Sequence, residues 1–143
     1  MTDTPRKSIL LVDDDPCIRE AIGMLLNEEG YDIATAADGL DALTQLKLAA
    51  PDVIISDLNM PRMSGYEFLS VVRRRFSSIP VIAMSGNCES GLCFPDGVVV
   101  DAFFAKGRTH IEELLSTIAA LVRAAAAPPI SHQRQPDPLQ MPR

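Results

Sequence analysis

The chain contains several short apolar runs, and each is followed directly by a polar or charged residue. Short continuous runs rich in β-branched residues are typical of strands buried on both faces, as in a parallel sheet. Four such runs cover residues 9–12, 53–56, 81–84 and 103–105. The side chains that follow them are Asp13 and Asp14, then Asp57, Ser85 and Lys106. Because ligands bind at the carboxyl ends of the strands in an open parallel sheet, we expect these side chains to form one cluster.

Helical patterns alternate with the strand patterns. Asp15 is a suitable N-cap for a helix that begins at Pro16, and Gly30 is a suitable end. The apolar positions of this helix are three or four residues apart. They are Ile18, Ala21, Ile22, Leu25 and Leu26. A weak second strand is predicted at residues 33–36 and a short helix at residues 40–48.

The second half of the chain continues the alternation. A helix is predicted from Ser64 or Gly65 to Arg75, with Phe68, Leu69 and Val72 as its apolar stripe. Pro80 opens the next strand, and a capping box at residues 109–112 begins a long final helix. The pattern predicts a doubly wound α/β domain.

The segment of residues 86–97 departs from this regularity. It contains three glycines and one proline. Each interior glycine destabilises a helix by about 1 kcal/mol relative to alanine, and proline by about 3 kcal/mol. We therefore expect a shortened or irregular helix here.

Length and composition limit the possible functions. With 143 residues, of which 47% are hydrophobic and 5% aromatic, the chain predicts one domain with an aliphatic core. We expect a flexible N-terminus at 1–6, the domain at 7–126 and a flexible proline-rich tail at 127–143. The net charge of −6 argues against direct nucleic acid binding. No signal region or membrane-spanning stretch is recognisable, so we expect a cytoplasmic protein with reduced cysteines.

The expected cluster has the chemistry of a magnesium site. Neighbouring carboxylates repel one another, so a cation must join Asp13, Asp14 and Asp57. No histidine or cysteine falls in the cluster, which favours a hard, oxygen-seeking ion such as Mg²⁺ over zinc. Lys106 and Ser85 can contact phosphoryl oxygens, and an aspartate can act as the nucleophile towards phosphorus. Asp57, at the centre, is the predicted phosphoacceptor.

These motifs resemble the response-regulator receiver family of two-component signalling. The resemblance covers about residues 7–125. It is carried by the acidic residues 13–15, by the segment from Asp52 to Pro61 and on to Gly65, by Met84 and Ser85, and by residues 103–106.

The resemblance implies a flavodoxin-like, five-stranded parallel sheet in the order 2-1-3-4-5. It implies phosphorylation of Asp57 by a histidine kinase or phosphotransfer protein, and a phosphorylation-dependent contact with a downstream protein. In the family, Mg²⁺ is bound by the residues that correspond to Asp14, Asp57 and the backbone carbonyl of Asn59, with Asp13 acting through water. Ser85 and Phe103 would then be switch residues, and Asn59 and Asn87 would influence the phosphoryl lifetime.

Two features depart from the family pattern. Glycine (Gly107) follows Lys106 where the family usually has proline, and a cis bond to a non-proline residue costs about 2.5–4 kcal/mol. We therefore predict a trans bond, with Lys106 still reaching the site. The second departure is the glycine-rich 86–97 segment, which replaces the family's fourth helix and puts the dimerisation surface in question, so a monomer or weak dimer is expected.

Other functions stay open at this level. The domain could be a phosphate sink, or an interaction module that is never phosphorylated. An Mg²⁺-dependent aspartyl phosphatase would use Asp13 as nucleophile and Asp15 as acid, but Pro16 and Cys17 break its motif. In the favoured interpretation the protein is not an enzyme and catalyses only its own phosphorylation and dephosphorylation.

Overall fold

A computed structural model describes residues 6–60, 63, 65–85, 100–106 and 111–126 of the chain. The strands are β1 (Ser8–Val12), β2 (Asp32–Ala36), β3 (Val53–Asp57), β4 (Val81–Ser85) and β5 (Ala102–Ala105). The helices of the described residues are α1 (Pro16–Glu28), α2 (Gly39–Leu48), α3 (Gly65–Arg75) and α4 (Ile111–Ala126).

The five strands form one parallel sheet in the order β2-β1-β3-β4-β5, which confirms the predicted topology. The register keeps the carboxyl ends of neighbouring strands level. Val12 is paired with Ser56, and Ser85 is paired with Ala105. The residues directly after β1 and β5 and the last residues of β3 and β4 therefore meet at one edge of the sheet.

Helices cover both faces of the sheet and close two apolar cores. On one face, α2 and α3 bury the predicted stripe of Phe68, Leu69 and Val72, all completely inaccessible to solvent. On the other face, α1 and α4 contribute Leu26, Leu114 and Ile118. Because both faces are covered, the central strands read as continuous apolar runs in the sequence.

Helix α1 begins as predicted and is less buried than predicted. The Asp15 carboxylate accepts hydrogen bonds from the N–H groups of Cys17 and Ile18, which confirms it as the N-cap. Gly30 follows the helix at φ +102°, a conformation that favours glycine. Of the predicted apolar stripe, Leu26 is buried, whereas Ala21 and Leu25 are exposed. The reason is that α1 packs mainly against β2, an edge strand, so only a narrow side of the helix is covered.

The two edge strands are less buried than the three central ones. Strand β2 has only Ala36 fully buried, and every residue of β5 is half-buried. This explains why β2 gives a weak pattern in the sequence. The predictions for residues 86–97, the capping threonine, the Lys106–Gly107 bond, the tail and the N-terminal segment up to residue 5 lie outside the described residues. Arg6, the last residue of the predicted N-terminal segment 1–6, donates hydrogen bonds to the Gly30 and Tyr31 carbonyls. Within the described part of the chain, none of the helices combines the length and apolar character needed to cross a bilayer.

Candidate functional site

Three carboxylates meet at the carboxyl edge of the sheet. Asp13 and Asp14 follow β1 directly, and Asp57 is the last residue of β3. One oxygen from each of the three lies within 4.8 Å of the others. Asp13 and Asp57 are buried, with 0% and 2% of their surface exposed, whereas Asp14 faces solvent. The structure thus brings together the three acids that the sequence predicts as a metal-binding group.

Lys106 reaches the same cluster from the end of β5, as predicted. Its Nζ donates to Asp57 Oδ2 at 2.9 Å and lies 3.0 Å from Asp13 Oδ2. Its backbone N–H donates to the Ser85 carbonyl at 3.0 Å, which extends the pairing of β5 with β4 beyond the last ladder residue. That backbone bond fixes the direction in which the lysine leaves the sheet.

One ammonium faces two buried carboxylates, and the pKa shifts reflect this imbalance. Burial raises the pKa of Asp57 and the Asp13 charge adds to the effect, while the Asn59 N–H and Lys106 only partly oppose it. Burial lowers the pKa of Lys106, but its contacts with Asp57 and Asp13 outweigh burial and raise it. The pKa shift of Asp57 therefore disfavours its charged form, whereas the pKa shift of Lys106 favours its charged form. Among the described residues, Lys106 is attracted by both carboxylates, whereas Asp57 is attracted by Lys106 and repelled by Asp13.

The cluster fits a small divalent cation. An octahedral Mg²⁺ with ligands at about 2.1 Å separates its oxygen donors by about 3.0 or 4.2 Å, within the spread of the three carboxylate oxygens. Among the described residues, buried Asp13 Oδ2 takes part in no hydrogen bond and has only the Lys106 ion pair. A cation would offset the excess negative charge and give this atom a direct or water-mediated partner.

Asn59 joins two of the predicted site residues. Its backbone N–H donates to Asp57 Oδ1 at 3.1 Å, and its side-chain amide donates to Ser85 Oγ at 3.1 Å. Ser85, the last residue of β4, is 3% exposed. The family resemblance implies a metal-binding carbonyl for Asn59. It does not predict the side-chain contact with Ser85, because that contact depends on the path of the loop after β3.

Arg19 also reaches the site, and sequence reasoning missed it. Its Nη1 donates to the backbone carbonyl of Asp13 at 2.7 Å. The available signal was its position, six residues after Asp13 and in the first turn of the helix that follows the acids directly. A charged residue at such a position can point back along the helix towards the strand end.

Comparison with known proteins places the chain in a family. The family model described as the response regulator receiver domain matches residues 9–93, more than half of the chain. The chain is a response regulator receiver domain. It therefore belongs to the proteins of two-component signalling.

Curated relatives of this receiver domain are much longer proteins. The DNA-binding response regulator MtrA of Mycolicibacterium smegmatis is 36% identical over 88 residues, which are 62% of this chain and 38% of MtrA. The sensor histidine kinase RcsC of Salmonella typhi is 35% identical over 124 residues, which are 83% of this chain and 13% of RcsC. The chain thus spans well under half the length of either relative.

Solved receiver structures match over nearly their whole length. The chemotaxis protein CheY4 of Vibrio cholerae has a TM-score of 0.72 at 32% identity, covering 82% of this chain and 99% of CheY4. The response regulator TrrA of Thermotoga maritima, solved in complex with Mg²⁺-BeF, also gives 0.72 at 32% identity, covering 80% of this chain and 98% of TrrA. These matches agree with the sheet order found here.

The predicted switch residues of this receiver domain occupy neighbouring strands. Phe103 on β5 is half-buried and packs against the core on the α2 and α3 face. Its strand partner is Ala83, two residues before Ser85 on β4. Asn87, predicted to influence phosphoryl lifetime, lies outside the described residues.

Proposed function

We propose that this receiver domain accepts a phosphoryl group on Asp57 from a histidine kinase or phosphotransfer protein, with Mg²⁺ as cofactor. The observation that carries the proposal is the setting of the Asp57 carboxylate. It is buried, contacts the Lys106 ammonium at 2.9 Å and lies beside the Asp13 and Asp14 carboxylates. Such a setting suits a nucleophile that must approach a dianionic phosphoryl group.

The proposed transfer is a balanced substitution at phosphorus. An Asp57 carboxylate oxygen bonds to phosphorus while the bond from phosphorus to the donor imidazole nitrogen breaks, and the nitrogen keeps the electron pair. Lys106 would place its positive charge next to one phosphoryl oxygen, and the Ser85 hydroxyl would donate a hydrogen bond to another. Asp14, Asp57 and the carbonyl of Asn59 would hold the ion directly, and Asp13 through water. When bound, Mg²⁺ supplies charge neutralisation to the phosphoryl oxygens.

The output we propose is a changed protein contact. The phosphorylated Asp57 side chain carries about two negative charges on the phosphoryl oxygens, in place of the single charge of the carboxylate. We infer that Ser85 and Lys106 move towards these charges and that Phe103, on the adjoining strand, repacks. The result would bias two pre-existing arrangements of the surface near β4 and β5. We propose a downstream protein, rather than nucleic acid or a membrane, as the partner of this domain.

The geometry around Asp15 supports a phosphoacceptor over a phosphatase. An aspartyl phosphatase of the alternative kind would need Asp15 as a free acid. Here the Asp15 carboxylate caps α1 by accepting from two backbone N–H groups. We infer that the domain catalyses only its own phosphorylation and dephosphorylation.

Phosphorylation can be tested by intact-protein mass spectrometry after incubation with acetyl phosphate and Mg²⁺. We expect the mass of one phosphoryl group to be added to the wild type, and no addition in EDTA or in Asp57→Asn. Asp15→Asn is the matched control, because asparagine keeps the helix cap and changes a neighbouring acid in the same way. It should be phosphorylated like the wild type.

Two results would contradict the proposal. One is a wild type that gains no mass, as a phosphate-independent interaction module would behave. The other is an Asp57→Asn variant that gains mass as readily as the wild type, which would place the acceptor elsewhere.

A further inference from the structure

We propose that Arg19 is a positioning residue for the metal ligands of this domain, because it fixes the peptide that joins Asp13 to Asp14. The inference rests on the proposed Mg²⁺ site and adds a residue that contacts neither the ion nor the phosphoryl group. The contact that carries it is the 2.7 Å hydrogen bond from Arg19 Nη1 to the Asp13 carbonyl.

The helix start holds Arg19 in place for this contact. Arg19 is the fourth residue of α1, whose first turn is fixed by the Asp15 cap, and its own N–H donates to the Asp15 carbonyl at 2.9 Å. The side chain is half-buried and turns back towards the end of β1. It therefore ties the helix to the residue that immediately follows the strand.

Arg19 completes the hydrogen bonding of the Asp13 backbone. The Asp13 N–H donates to the Ala36 carbonyl at 3.1 Å, and Asp13 Oδ1 accepts from the Asp15 N–H at 2.9 Å. With the carbonyl held by Arg19, only Oδ2 is left to face Lys106 and an ion. Loss of the arginine would free the carbonyl and allow the peptide plane to rotate.

Asp14 depends most on this peptide plane. Its side chain is exposed and has no hydrogen bond to any other described residue. Its carboxylate is therefore placed by the backbone, and the orientation of the Asp13–Asp14 peptide decides where that backbone points. Groups that orient the ligands of a metal typically contribute about 10- to 100-fold to its affinity.

Electrostatics and positioning predict opposite effects of removing Arg19. A positive charge this close to a cation site repels the ion, so its loss alone should tighten Mg²⁺ binding. Loss of a fixed peptide should weaken binding. The direction of the change therefore separates a positioning residue from a mere surface charge.

The test is isothermal titration calorimetry of the full chain with Mg²⁺ in the absence of any phosphodonor. We expect Arg19→Ala to bind Mg²⁺ about tenfold more weakly than the wild type. Arg19→Lys, which keeps a donor and the charge, should recover most of the affinity. Lys47→Ala is the control for net charge, since Lys47 is an exposed residue at the far end of α2. It should bind like the wild type.

Thermal unfolding in EDTA accompanies each titration. Should Arg19→Ala prove unfolded, Arg19→Met keeps the aliphatic stem and removes only the donors, and the same tenfold loss is expected. Folded variants that bind Mg²⁺ as tightly as the wild type, or more tightly, overturn the inference and leave the proposed function standing. A wild type that binds no Mg²⁺ overturns the proposed function and this inference together.

Discussion

The Asp57 carboxylate is almost completely buried, and the ammonium of Lys106 that contacts it also contacts Asp13. Its other neighbour, Asp13, carries the same charge and shares Lys106 with it. Without a bound ion, the repulsion between the two buried carboxylates is only partly offset by Lys106, and this imbalance leads to two predictions.

Replacement of Asp57 by asparagine should stabilise the metal-free protein at neutral pH. Since the folded pKa of Asp57 is raised, the folded state binds the proton more tightly than the unfolded state. The free energy of unfolding therefore falls as pH rises from below the ordinary value of about 3.9 through the raised pKa. Thermal unfolding in EDTA should show a higher melting temperature for Asp57→Asn at pH 7, and convergence with the wild type below the ordinary pKa. A variant that is less stable at pH 7 would contradict the stated balance of charges.

Removal of the lysine should have the opposite effect. In Lys106→Met, two buried carboxylates face each other without a cation, which should cost about 3 kcal/mol in urea unfolding at pH 8 in EDTA. Added Mg²⁺ should recover part of this loss. Lys47→Met, an exposed lysine far from the site, should change stability little. Equal stabilities for the two variants would show that Lys106 does not neutralise the cluster.

The central elements of the fold are more deeply buried than the peripheral ones. Strands β1, β3 and β4 are buried almost throughout, and α3 presents a fully buried stripe to them. In contrast, β2 and β5 are edges, and α1 and α2 leave leucines in solvent. The acids and the serine of the site stand at the ends of the buried central strands, whereas Lys106 follows the edge strand β5.

The same substitution in two helices should show this division. Leu69 in α3 is completely buried, whereas Leu48 at the end of α2 is 81% exposed. Leu69→Ala should cost about 2–5 kcal/mol through lost burial and the cavity left behind. Leu48→Ala should stay within about 0.5 kcal/mol of the wild type. Denaturant unfolding measures both, and similar losses for the two leucines would contradict the packing described here.

At the scale of the whole molecule, the sequence predicted those parts of the fold and of the site that depend on a local pattern of residues. Apolar runs revealed the central strands, and the acids behind two of them predicted a shared site because parallel strands end at one edge. The edge strand β2 was weak in the sequence because solvent covers most of its side chains. Two contacts escaped prediction, from Arg19 to the Asp13 carbonyl and from Asn59 to Ser85. The first depends on the conformation of a long side chain and the second on the path of the loop after β3, and neither is determined by a local sequence pattern.

A crystal structure of the domain with Mg²⁺ and beryllofluoride tests the central claim most directly. The account predicts beryllium bonded to the Asp57 carboxylate, with Lys106 Nζ and Ser85 Oγ at the fluorides. It also predicts an octahedral ion held by Asp14, Asp57 and the Asn59 carbonyl, at about 2.1 Å. An ion bound away from these acids, or a beryllofluoride group on another residue, would contradict the account.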